Sequence, residues 1–185
     1  FAASLRTDFL DDPDFPASGG SMAVRFRSAT RRFGGEDEYT RLAIDGAHFL
    51  SFGGFTVFGT MSGGTDFGED LPFDESFTLG GAHSFAGLKE GQRSGGAFGV
   101  LRAGLYFPVR RGPLLVGPHF YLGGWIASGG IWPGREEVDA SDLEYSGALF
   151  LGMESILGPV MIGYGRTSGG SDSAFLTAGR QFGSF

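Results

Sequence analysis

The hydrophobic positions of this chain recur every second residue in eight separate segments, a pattern typical of β-strands that bury one face. In the clearest segment, Leu149 and Leu151 lie on one face and Ala148 lies on the other. The predicted strands are residues 21–33, 38–50, 53–62, 97–109, 114–127, 142–154, 158–168 and 174–185. The pattern therefore predicts an all-β, antiparallel protein.

The predicted strands and their connections have the lengths of a membrane barrel. Strands of 10 to 14 residues exceed the five or six that are usual in soluble domains and match a tilted membrane-spanning strand of roughly 9 to 11 residues plus its rims. Connections near residues 51–54, 110–112 and 155–157 are short, whereas 63–95 and 129–141 are long. Because outer-membrane barrels have short periplasmic turns and long outer loops, the chain is predicted to be a transmembrane β-barrel in a bacterial outer membrane.

The number of strands leaves two architectures open. Residues 21–185 could form a closed eight-stranded barrel, or half of a sixteen-stranded one. Residues 1–20 are an N-terminal extension or contain a ninth strand at 4–10, which would imply more barrel upstream because bacterial single-chain barrels have even strand numbers. The aromatic residues Phe182 and Phe185, at the end of the last strand, are the predicted insertion signal for the barrel-assembly machinery.

Composition removes several classes of function. The 185 residues suffice for one domain, and 35 Gly beside 20 Phe indicates glycines inside strands. Because there is no Cys, disulfide frameworks, zinc ribbons and thiol catalysis are excluded. A net charge of −7 without a basic run argues against nucleic acid as a partner. No apolar run reaches the ~20 residues of a membrane-spanning helix.

The acidic residues are clustered at 11–14, 36–38, 66–75 and 136–144, which predicts solvated loops. Such loops could instead hold calcium, or bridge lipopolysaccharide through divalent cations, although they show no ordered ligand spacing. Lipopolysaccharide and outer-membrane lipid are therefore the predicted partners at the surface.

Charged residues on several strands share the face that is predicted to line the lumen. This set contains Arg25, Arg27, Arg41, Asp45, Arg102, Glu144 and Glu154. Coulomb attraction in a water-poor lumen favours their pairing. The prediction is an ion-pair network that fills a narrow barrel, and the alternative is a substrate-selective pore.

No catalytic, cofactor or metal site is predicted. The chain has no G-x-S-x-G nucleophile elbow, and no strand face pairs two His, or a His with a carboxylate, at metal-ligand spacing. A lipid-modifying site at His83 or His119 would need a nucleophile and an orienting acid, and it is kept as an alternative. The chain is therefore predicted not to be an enzyme.

Three motifs resemble a known superfamily and occur in its order. LDDPDFPASGG, residues 10–20, resembles the D-x(n)-F-P-x-x-G turn of bacterial surface antigen barrels, the superfamily of barrel-assembly and two-partner-secretion transporters. FTLGGAHSFAGL, residues 77–88, is similar to that superfamily's F-x-L-G-G element and loop-tip motif. Residues 150–182 resemble the C-terminal barrel of bacterial patatin-like phospholipases.

The resemblance implies a membrane anchor or translocator for a patatin-like domain. In that family a patatin domain and a POTRA module precede a sixteen-stranded barrel, so this chain would be about half of the barrel. The alternatives are a self-standing eight-stranded barrel that pairs with a second copy of itself, a lipid-modifying barrel enzyme, and a soluble lipocalin-like binder. A lumen lined by arginine argues against the binder.

The long connection, residues 63–95, departs from the superfamily pattern at its tip. Members carry an arginine there that pairs with an acid on the barrel wall, whereas this tip reads FAGL, residues 85–88, and strand 119–132 has no acid. Loss of both charges is consistent, because a lone buried charge is costly. An apolar, glycine-hinged loop is predicted to fold back and plug or brace the lumen, with a disordered surface loop as the alternative. Its motif residues are Phe77, Leu79, Gly80, Gly81, Phe85, Gly87 and Leu88.

Overall fold

Antiparallel strands make up most of the computed structural model, which describes residues 1–29, 38–67, 72, 75–109, 119–155 and 158–179. Single-turn 3-10 helices lie at Arg135–Glu137 and Ala140–Asp142. No helix in these residues is long and apolar enough to cross a membrane. The strands are β1 (Ala2–Asp8), β2 (Gly19–Ala29), β3 (Tyr39–Phe52), β4 (Phe55–Asp66), β5 (Phe77–Leu79), β6 (Arg93–Gly95), β7 (Ala97–Val109), β8 (Phe120–Trp132), β9 (Glu144–Ser155), β10 (Gly158–Thr167) and β11 (Asp172–Ala178).

Nine of these strands form one sheet in the order β1-β2-β3-β4-β7-β8-β9-β10-β11, and β5 and β6 form a separate hairpin. Each neighbouring pair is antiparallel, so the predicted all-β antiparallel fold is confirmed. The sheet is open over the described residues, because β1 pairs only with β2 and β11 only with β10. β1 overlaps the ninth strand that the sequence allows at residues 4–10.

Strand boundaries differ most from the prediction at β8. Residues 114–127 are the predicted strand, but β8 runs from Phe120 to Trp132, and the connection predicted at 129–141 begins only after Trp132. The Gly-rich end of β8 is strand because its glycines permit close approach to β7. A Cβ at Gly129 would lie 2.6 Å from the carbonyl oxygen of Gly99, so the glycine here serves packing and does not mark a loop.

The two faces of the sheet differ in burial, as the alternation predicts. The inner face carries a buried aromatic cluster that includes Phe49, Tyr106 and Phe150. The outer face leaves Leu101 64% and Leu149 73% exposed, and similar apolar side chains are exposed along the central strands. An apolar outer band is the surface that a lipid-facing barrel wall presents.

Candidate functional site

The loop between β4 and β7 returns its tip to the inner face of the sheet. Leu79, Phe85 and Leu88 are each at most 1% exposed, and they pack with Val100 of β7 and Ala127 of β8. The backbone N–H of Gly81 donates to the carbonyl of Leu88 at 3.0 Å, which closes the tip on itself. The loop thereby supplies the apolar centre of a second core cluster inside the sheet.

Gly87 allows the tip to touch the backbone of β10. Its φ is +99°, and a Cβ there would lie 2.8 Å from the backbone nitrogen of Thr167. Gly165 of β10 has the reciprocal role, since a Cβ on it would lie 2.5 Å from the Cβ of Ala86. Two glycines facing each other let two backbones meet where ordinary side chains would separate them.

The sheet donates hydrogen bonds to carbonyl groups of the tip. Nη1 of Arg102 donates to the carbonyl of Ala82 at 3.3 Å, and the hydroxyl of Ser146 donates to the carbonyl of Ala86. Arg102 is buried, and its Cζ lies 5.2 Å from the ring centroid of Trp125. Because no carboxylate of the described residues pairs with Arg102, aromatic faces and a loop carbonyl provide its electrostatic stabilisation.

The start of the loop is held by a carboxylate between two arginines. Oε1 of Glu75 lies 2.5 Å from Nη1 of Arg27, and Oε2 lies 2.9 Å from Nη1 of Arg41. Arg41 also donates to the backbone carbonyl of Glu75 at 2.7 Å, and its Cζ lies 4.4 Å from the ring centroid of Phe77. Partial burial opposes ionisation of Glu75, but hydrogen bonds from Tyr39 and the two arginines outweigh it and lower its pKa.

The end of the loop is held by the opposite charge arrangement. Nη1 of Arg93, at the start of β6, lies 2.6 Å from Oε1 of Glu144 on β9. Glu75 therefore anchors the loop to β2 and β3 just before β5. Arg93 anchors it to β9 at the start of β6.

The turn between β1 and β2 enters the inner face from the opposite end. Phe15 is 4% exposed and stacks on Tyr121 of β8 with ring centroids 4.1 Å apart. A Cβ at Gly152 of β9 would lie 2.5 Å from the Phe15 ring, so this glycine makes room for it. The hydroxyl of Tyr106 donates to the carbonyl of Pro16.

Two carboxylates of this turn fix its backbone. Oδ1 of Asp11 accepts from the N–H groups of Ala17 and Ser18, both at 2.9 Å. Oδ1 of Asp12 accepts from Asp14 at 2.7 Å and from Phe15 at 3.2 Å. Slight burial of Asp11 opposes its ionisation, but the backbone donors outweigh it and lower its pKa. The acidic residues of 11–14 therefore include two that shape a turn.

Residues 1–125 match the Omp85 superfamily domain. The chain belongs to the Omp85 superfamily. Among solved structures, the crystal structure of BamA from Haemophilus ducreyi lacking POTRA domains 1–3 aligns with 95% of this Omp85 chain, at a TM-score of 0.72 and 14% sequence identity. The chain covers 40% of that BamA chain, less than half of its length. No curated protein sequence matches.

Superfamily membership and the barrel fold place this Omp85 chain in the bacterial outer membrane, as predicted. The apolar outer face then contacts lipid, and the inner face lines the lumen. The loop tip and the β1–β2 turn both occupy that lumen side, at its two ends.

Of the predicted lumen charge network, the structure joins one pair directly, since Arg25 donates to Asp45. The predicted single network is not present among the described residues, because the loop enters the lumen and supplies counter-charges itself. The other members contact groups outside the predicted set: Arg27 and Arg41 contact Glu75, Glu144 contacts Arg93, Glu154 contacts His119 and Tyr121 at 2.6 and 2.5 Å, and Arg102 contacts Ala82 and Thr60.

Sequence reasoning missed Phe15, Glu75 and Arg93. The signal for the last two was available, because opposite charges flank a loop that was itself predicted to fold inward. Phe15 lies in a motif, residues 10–20, that by itself predicts only a turn. The predicted insertion signal, Phe182 and Phe185, lies outside the described residues. Among the described residues no group of three or more His, Asp or Glu side chains is arranged to hold a metal ion.

Proposed function

We propose that this chain is the C-terminal part of an outer-membrane barrel that anchors a patatin-like domain and acts as its translocator. Omp85 membership supports the barrel, and the likeness of residues 150–182 to patatin-family barrels supports the attached domain. The chain has no G-x-S-x-G motif, so the lipase chemistry belongs to that attached domain and the barrel itself is not an enzyme.

The open sheet supports a barrel larger than the one these strands could close. β1 and β11 each have one unpaired edge over the described residues, and backbone groups cannot be left unsatisfied in lipid. The proposed barrel has sixteen strands, with β1 included among them and the others contributed by the same polypeptide. The two unpaired edges also favour an alternative, in which a second copy of the chain closes the barrel.

Cross-linking between the two edges separates these arrangements. Single cysteines replace Thr7 of β1 and Leu176 of β11, in a chain that has no native Cys. A sixteen-stranded barrel keeps the two strands apart, and no β1–β11 cross-link is expected. A cross-link between two chains would support the paired copies, and a cross-link within one chain would support a small closed barrel.

The observation that carries the proposal is the buried loop tip. Phe85 and Leu88 are buried against the sheet, and Arg102 and Ser146 donate to the tip backbone. A loop held in this way braces the lumen and blocks an open pore, which suits an anchor or a gated translocator.

Conductance in planar lipid bilayers tests whether the loop obstructs the pore. Deletion of residues 78–88 should raise the conductance, because a sixteen-stranded barrel encloses a channel whereas an eight-stranded one is filled by its own side chains. Deletion of residues 135–142 is the control, since the short 3-10 helices there have no buried residues. An unchanged conductance after the 78–88 deletion would contradict the proposal.

The other proposed partners are the outer-membrane lipids and the machinery that inserts the barrel. Lipid and lipopolysaccharide surround the outer face, and the barrel-assembly machinery inserts the chain by reading Phe182 or Phe185. Replacing each with Ala in turn, and measuring the fraction of protein that shifts its gel mobility on heating, identifies which residue is read. If both single variants and the double variant insert as well as wild type, this part of the proposal is wrong.

A further inference from the structure

Three arginines project from neighbouring strands onto one region of the inner face, which we name the arginine face: Arg25, Arg27 and Arg41. Arg27 and Arg41 are direct cross-strand partners, an arrangement of like charges that destabilises a sheet unless an anion lies between them. The arginine face is basic although the chain as a whole carries a net charge of −7.

The acidic residues that the structure describes do not satisfy every hydrogen-bond donor of the arginine face. Asp45 pairs with Arg25, and Glu75 bridges Arg27 and Arg41, so among the described residues three positive charges meet two negative ones. Three guanidinium groups offer about fifteen N–H donors. Carboxylate and carbonyl oxygens of the described residues take four hydrogen bonds from them, and Arg27 also contacts the hydroxyl of Tyr39. The side chains of Arg25 and Arg27 are 44% and 55% exposed, which leaves donors facing the lumen.

A recess of about 360 Å³ lies beside these donors. Its other wall is formed by the N-terminal part of β1, where the small residues Ala2 and Ser4 pair with Arg27 and Arg25. Small side chains opposite long cationic ones leave room for a bound group that larger residues would occupy.

We propose that the arginine face binds a phosphate group, in competition with the carboxylate of Glu75. A tetrahedral phosphate presents three or more acceptor oxygens and can bond guanidinium groups from two strands, whereas one carboxylate has two oxygens. The shared chemistry is a phosphate monoester or inorganic phosphate, either free in solution or on a lipid headgroup. The inference goes beyond the proposed function, since it needs neither an attached domain nor translocation.

Binding has a consequence for the loop. Glu75 and Phe77 are the first loop residues that the arginines hold, through the carboxylate, the backbone carbonyl and the aromatic ring. A phosphate that takes Arg27 and Arg41 from Glu75 removes that attachment. Phosphate binding should therefore loosen the start of the loop while the tip contacts at Ala82 and Ala86 persist.

The test uses the full-length protein in detergent with inorganic phosphate as the probe, titrated by calorimetry at constant ionic strength. Saturable binding is expected, and the double variant Arg25→Gln with Arg27→Gln should weaken it about tenfold or more. Arg135→Gln with Arg166→Gln removes the same charge from exposed positions outside the recess and should leave binding unchanged. Ser4→Leu, which fills the recess and keeps every arginine, should also weaken binding.

Glu75→Gln gives the opposite sign, so the test does not depend on variants that lose affinity by misfolding. Removing the competing carboxylate should tighten phosphate binding several-fold. Micelles with phosphatidic acid, whose headgroup is a phosphate monoester, form a second arm: saturation by this lipid but not by inorganic phosphate identifies a headgroup as the source. No saturable binding of either probe to wild type and Glu75→Gln, or equal binding by the Arg25, Arg27 double variant, would overturn the proposal.

Discussion

The loop tip and the β1–β2 turn both fill the lumen side of the sheet, but they are held there by different means. The turn, residues 9–18, is short and fixes its own backbone through Asp11 and Asp12. The loop, residues 67–96, is three times as long as the turn. It is held by hydrogen-bond donors and counter-charges of the sheet. Ordering a longer segment costs more conformational entropy. We therefore expect the turn, residues 9–18, to act as a fixed plug of the lumen and the loop to be the segment that can be released.

The largest expected effect comes from removing the fixed plug. Phe15→Ala deletes a buried ring that stacks on Tyr121 and fills the space above Gly152, so it should lower the free energy of unfolding by about 3 to 5 kcal/mol. Urea unfolding in detergent, followed by tryptophan fluorescence, measures it. Phe9→Ala is the control, because Phe9 is 66% exposed. Equal losses in the two variants would show that Phe15 is not a structural plug.

A substitution at Gly87 should release the loop with a smaller effect on stability. Gly87→Val places a branched side chain at φ +99°, against the backbone of β10, and such overpacking costs about 1 to 3 kcal/mol. The tip should leave the lumen, and the bilayer conductance should rise. Gly91→Val is the matched control, because Gly91 also has a positive φ but nothing within 4 Å of a Cβ. Equal conductance of the two variants would contradict the assigned role of close approach.

The fold could be predicted to a large extent because alternation reports which side of a barrel wall each residue faces. β7 coincides with its predicted range, 97–109, since apolar residues from Leu101 to Phe107 recur at every second position on one face. β8 extends beyond its predicted end because Gly129 and Gly130 are ambiguous: glycine can mark a loop or make room for a neighbouring strand. Only the partner strand decides between these, and the carbonyl oxygen of Gly99 lies 2.6 Å from where a Cβ of Gly129 would be.

The site could be predicted only in part, because its contacts join distant segments. The apolar anchors of the loop were visible in the sequence, since a Phe- and Leu-bearing tip among glycines has no reason to face water. The partners of Phe15 come from β7, β8 and β9, and no spacing along the chain indicates them. Glu75 lies in an acidic run that resembles a solvated loop, and its role depends on the pairing of β2 with β3.

Asp11 tests whether the turn is held by its own carboxylates. Asp11→Ala removes the acceptor of two backbone N–H groups, which water can partly replace because Asp11 is exposed. The expected loss is about 1 kcal/mol in the free energy of unfolding, with a small rise in conductance as the plug loosens. Asp139→Ala removes a similar turn acceptor, for Ser141, in a connection away from the plug. A conductance change in this second variant would show that turn carboxylates act generally and not through the plug.

The smallest expected effect is a pH dependence confined to the releasable loop. The pKa of Glu75 is lowered in the folded chain from an ordinary value of 4.5, so the unfolded chain binds the proton more readily. The stabilisation by Glu75 is therefore complete above pH 4.5 and is lost as the pH falls through the lowered folded value. Glu75→Gln resembles the protonated side chain, so the urea midpoints of wild type and variant should converge as the pH falls below 4.5. A constant difference down to pH 2.5 would mean that the charge of Glu75 does not hold the loop, and Phe15→Ala should show no such convergence because its turn is held without Glu75.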